Sequence, residues 1–171
     1  MKRVWLALGL LCGACGGGSG SGTHVVGTGA SAFTGVDAWS LVDNGNLPTV
    51  GVFIESAPGV CARVAANTVK ADSTSVVIAA ISSTALIKPG TYRMREPGSP
   101  SVEMSTTDAS CIPSTHVLAM SGTVTLAEIT SSEVSGSLDV TLTDGSQVRG
   151  SFKAPTCHVV GDASLPPACV Q

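Results

Sequence analysis

Sulfur and imidazole have the greatest chemical reach in this chain, with six cysteines and three histidines among 171 residues. Cys12-Gly13-Ala14-Cys15 has the C-x-x-C spacing of a redox dithiol. That chemistry needs a strand-to-helix context inside a folded domain, whereas this pair ends an apolar N-terminal run. Cys61, Cys111, Cys157 and Cys169 are spaced too widely for the C-x2–4-C pattern of a zinc site. No metal or cofactor is expected. In an exported chain an even count reads as two disulfides with three pairings open. The Pro-rich stretch after Cys157 reads as a loop in need of a staple, which favours Cys157–Cys169 with Cys61–Cys111.

The histidines are His24, His116 and His158. A hydrolytic triad would need one of them beside a Ser or Cys nucleophile and a carboxylate. The G-x-S-x-G elbow is absent, as are H-E-x-x-H, the P-loop and the dinucleotide fingerprint. Glycoside chemistry would need two carboxylates brought from distant strands, with Glu55, Glu96, Glu103 and Glu128 as candidates. Arg93 and Arg95 alternate, so one strand would place them on a shared face toward an anionic surface. Trp39 and Tyr92 are the large amphipathic aromatics of the mature chain. They could line a carbohydrate site, although packing is their commoner use. No catalytic constellation emerges.

The segment before these groups sets their compartment. Met1-Lys2-Arg3, an apolar run from Val4 to Leu11 and the small residues before Cys15 have the three-part layout of a secretory signal. The run falls well short of the roughly 20 residues a spanning helix needs. Leu11-Cys12-Gly13-Ala14-Cys15 resembles the lipobox of bacterial lipoproteins, with Cys12 where a Leu is usual. The resemblance implies cleavage before Cys15 and acylation of its thiol and amine. Residues 1–14 are then a signal peptide, 15–23 a lipidated Cys with a tether, and 24–171 the folded domain. Gly16 to Gly22 is a Gly/Ser coil spanning about 15 Å by random-coil scaling. Gly16 is not the Asp that marks inner-membrane retention in enterobacterial lipoproteins, so the likeness implies an outer-membrane address.

Composition indicates how the remaining groups are held. Only 12% of residues are charged and 4% aromatic, while 43% are hydrophobic. Val, Thr and Ser suit pleated surfaces better than helices. Loss of Lys2 and Arg3 leaves seven basic residues against twelve acidic, a net −5, the wrong sign for a nucleic-acid partner. Short strand-like runs cover 24–34, 38–42, 49–55, 75–82, 91–96, 102–105, 115–130, 133–143 and 147–153. One helix is expected over 58–68, where Val60, Cys61, Val64 and Ala65 recur at helical spacing. The fold class is all-β and mainly antiparallel, a sandwich or small barrel with one short helix.

The last third can be read to the register. Gly122, Gly136 and Gly150 recur every 14 residues, one strand plus one turn, which predicts an antiparallel meander. A three-residue loop 143–145, with Gly145 in the left-handed region, puts Val140 opposite Val148, Leu138 opposite Gly150 and Asp139 opposite Arg149. The recurring glycines read as bulges or close backbone approaches.

Ser121 to Leu126, Val134 to Val140, Val148 to Phe152 and Cys157, with Val52-Phe53-Ile54, Val60-Cys61 and Pro89-Gly90-Thr91-Tyr92, resemble a pattern in small lipoproteins of myxobacteria. That likeness covers most of 50–157 and implies location and architecture, not activity. The expectation is a non-enzymatic, membrane-anchored β module for binding or envelope interaction, with a protein or carbohydrate partner unspecified. The alternatives are a hydrolase assembled across loops around His116 or His158, and a carrier with an apolar cavity inside a barrel.

Overall fold

The computed structural model describes residues 22–45, 47–82, 85–157 and 167–171. The segment expected to be a signal peptide, Cys15, most of the expected tether and His158 lie outside these residues. The strands are β1 (His24–Thr28), β2 (Phe33–Gly35), β3 (Asp37–Asp43) and β4 (Thr49–Glu55). Helix α1 (Val60–Ala65), β5 (Thr68–Lys70), β6 (Thr74–Ile81), β7 (Gly90–Arg93) and β8 (Ser101–Thr107) follow. The chain continues through β9 (Pro113–Ile129), β10 (Glu133–Leu142), β11 (Gln147–Pro155) and β12 (Ala168–Val170).

The fold is all-β. One ladder runs β2-β1-β11-β10-β9-β8-β6-β4-β3, with β7 also on β9 and a separate parallel pair β12-β5. β9 is 17 residues long and belongs to both halves of the ladder. Its first part pairs with β8 through Leu118, and its second part with β10 from Ala119 onward. The ladder folds back there, so that β3 meets the residue just after β11 at the Ser40–Thr156 bridge. The ladder's two ends therefore pack as the layers of a sandwich linked through one strand. Alternate residues point between the layers, among them Val52, Ile54, Ile78, Val124, Leu138 and Val148, each at most 3% exposed.

The meander has the expected register, with Val140, Leu138 and Asp139 opposite Val148, Gly150 and Arg149. Gly145 takes φ +83°. A Cβ at Gly122, Gly136 or Gly150 would sit 2.0–2.1 Å from a carbonyl oxygen of the neighbouring strand, so these glycines permit close backbone approach.

Three expectations need correction. The single strand over 24–34 is broken at Gly29 (φ +82°) by a short 3-10 turn, and β2 returns antiparallel to β1. The helix is shorter than 58–68, because Gly59 (φ +79°) and Asn67 (φ +50°) take left-handed conformations at either end. The favoured disulfides are replaced by Cys61–Cys157 and Cys111–Cys169, with Cα separations of 5.2 and 5.5 Å. The two late cysteines are carried by different strands. β11 delivers Cys157 to the side of α1, while β12 lies along β5 and brings Cys169 to the loop holding Cys111. Two disulfides belong to an oxidising, extracytoplasmic compartment. Among the described residues no helix is long and apolar enough to cross a membrane.

Candidate functional site

The residues singled out for chemistry fall into separate neighbourhoods. His116 and Glu103 do meet. The His116 Nδ1 pairs with the Glu103 carboxylate on the exposed outer face of β8 and β9, and Ser105 lies directly opposite His116. The residue types are those of a triad, but the Ser105 hydroxyl is hydrogen-bonded to Ser75 at 3.0 Å. The group sits on the outer face of a paired sheet, and Ser105 lies across the strand pair from His116 with its hydroxyl turned to Ser75. His24 is exposed at the start of β1, and Glu128 is exposed on β9.

Glu55 has a structural partner. Its carboxylate pairs with Arg63 of α1, which also donates to the carbonyls of Ala57 and Pro58. Burial pushes Glu55 above the usual carboxylate range, opposed by the Arg63 guanidinium and reinforced by the nearby Asp37 charge. Asp37 is buried and accepts from the backbone N–H groups of Ala38, Gly59 and Val60 at 2.9, 2.7 and 3.0 Å. It caps α1 from a neighbouring strand, a role its sequence position does not reveal.

The aromatic candidates pack. Trp39 lies face to face on Phe53, with centroids 4.2 Å apart and 8° between planes. The stack occupies one face of each ring, and both rings are half-buried. The Tyr92 hydroxyl donates to the Lys88 carbonyl.

The expectation for the arginines also needs correction. β7 ends at Arg93, and Arg95 sits in the following turn at φ +68°, so the two do not share a strand face. Four described residues other than glycine have positive φ: Asn67, Asp72, Arg95 and Cys111. Asn and Asp tolerate that region, and Cys111 is held by its disulfide. Arg95 has neither reason, and strain of this kind concentrates at functional sites.

Arg95 stands at the rim of a cleft of about 390 Å³, within the size range of small-molecule sites. Its origin is topological. β8 and β7 use successive stretches of one edge of β9, pairing up to Leu118 and from Thr123 respectively. The interval between them is spanned by the 94–100 turn, anchored where the Met94 N–H donates to the Gly122 carbonyl at 3.0 Å. Met94, Val102, Leu118 and Ala119 form an apolar floor, Pro97 and Pro100 stiff walls, and Arg95 and Glu96 a charged rim. Among the described residues neither rim side chain has an ion pair or hydrogen bond, although both are exposed. A second hollow of about 310 Å³ is walled by Ser31, Thr74, Thr106, Thr115 and Asp144. Several of its polar groups are already engaged: Ser31 donates to Asp144, and Thr106 pairs with Thr115.

The cleft was not legible as a site from the sequence. Glu96 stood among several equivalent carboxylates, Arg95 was read with Arg93 as part of one strand face, and Met94 and Leu118 carried no signal, because their meeting depends on two strands sharing one edge. Comparison with family models, characterised proteins and solved structures finds no match.

Proposed function

We propose that this protein is a non-enzymatic binding module of the bacterial envelope, held to a membrane by lipid on Cys15, and that it takes a small ligand in the cleft between β7 and β8. The cleft carries the reading, since it joins an apolar floor to unpaired charges beside a strained backbone. The lipobox-like run and Gly/Ser tether support the anchor, and the two disulfides support life outside the cytoplasm. The outer membrane is the proposed address, by likeness to lipoproteins lacking Asp after the modified Cys.

Two measurements test this reading. Cys15→Ser should move the protein from the membrane fraction to the soluble fraction and abolish fatty-acid labelling; an unlabelled wild type would remove the anchor. An NMR screen of small peptides, sugars and acyl acids should give shifts clustered at Met94, Val102 and Ala119. Shifts confined to other surfaces would remove the cleft.

A further inference from the structure

We propose that the cleft binds short peptides with apolar side chains by their two charged ends, the terminal carboxylate on Arg95 and the terminal ammonium on Glu96. The proposal rests on reading the cleft as the binding site. Arg95 and Glu96 are consecutive, so their Cα atoms lie about 3.8 Å apart, yet they form no ion pair with each other or with any other described residue. Opposite charges left unpaired at one rim match a ligand that itself carries both signs. A simple amphipathic anion would gain Arg95 and meet repulsion from Glu96. A wholly apolar ligand would leave both charges unused. A sugar would find no aromatic face, because the residues lining the cleft include none.

The floor fits the remainder of such a ligand. Val102 is 2% and Met94 9% exposed, while Leu118 stands 53% open beside them, ready to be covered. The volume accommodates two aliphatic side chains with their backbone. Pro97 and Pro100 fix the wall opposite. The left-handed backbone at Arg95 sets the direction of the guanidinium at a cost that a purely structural turn would avoid by using glycine.

The test titrates isotope-labelled native protein, extracted in detergent with its disulfides intact, with the dipeptide Leu-Leu. N-acetyl-Leu-Leu, Leu-Leu-amide and the doubly capped form serve as matched probes. Leu-Leu should shift Met94, Leu118 and Ala119 saturably, and each single cap should weaken binding roughly three- to fivefold, as expected for exposed charge pairs. Arg95→Gln should erase the difference between acid and amide, and Glu96→Gln that between free and acetylated peptide. Both side chains are exposed, and an unchanged spectrum away from the cleft confirms the fold. If the doubly capped peptide binds as well as Leu-Leu, this proposal fails while the cleft remains a binding site. If none of the four shifts the cleft, the proposal fails and the cleft loses its main support.

Discussion

At the scale of single residues, two positions separate what the fold needs from what it tolerates. Asp37 is needed. Its carboxylate satisfies three backbone N–H groups, two of them at the start of α1. Asp37→Ala should destabilise by about 3 kcal/mol, combining a lost cap with buried unpaired donors, and Asp37→Asn by less; urea denaturation measures both. Arg95 is tolerated. Left-handed backbone costs a non-glycine residue about 1–2 kcal/mol, and glycine returns roughly 0.5–1 of that as unfolded-state entropy. Arg95→Gly should therefore stabilise by about 0.5 kcal/mol while weakening peptide binding. Gain of stability with loss of binding is the mark of a residue kept for its side chain.

At the scale of elements, the meander was the most legible part. A strand's period of two leaves only one register that buries Val140 and Val148 together, and Gly145 fixed the loop length. The region 86–112 was much less so. β7 and β8 are short, and neither shows that both will lie along one edge of β9. The cleft they frame was hidden for that reason, as was the pairing of β5 with β12. The hairpin between β10 and β11 also makes a polar contact across the fold. Asp144 accepts from Ser31 at 2.6 Å and from the Ser146 N–H and hydroxyl at 2.9 Å, tying the β1–β2 turn to it. These bonds hold Asp144 below the usual carboxylate range, the Ser31 bond contributing most. A depressed folded-state pKa gives stability that is present above the unfolded value and lost as pH falls through the folded one. Ser31→Ala should raise the Asp144 pKa toward its ordinary value in an NMR titration and flatten this part of the acid dependence.

At the scale of the molecule, two bridges join distant parts. Cys61–Cys157 spans 96 residues and Cys111–Cys169 spans 58. By loop-closure entropy each contributes about 4–5 kcal/mol, so replacing either pair by alanine should lower the denaturation midpoint substantially. Peptide mapping without reduction should recover these two links and not Cys61–Cys111 or Cys157–Cys169. Chain order misled the sequence expectation. The Pro-rich stretch between 157 and 169 read as a loop to be stapled at its ends, but the sheet's return to β3 places Cys157 against α1 instead.

β1 is stitched to β11 across a gap of 119 residues between Thr28 and Gln147. During biosynthesis β1 therefore has only the short β2 beside it, and its other edge waits until nearly the whole domain has followed. The seam between β1 and β11 can close only once the last third of the chain is present. The residues just after β11 include Cys157, so the Cys61–Cys157 bridge waits on the same late segment.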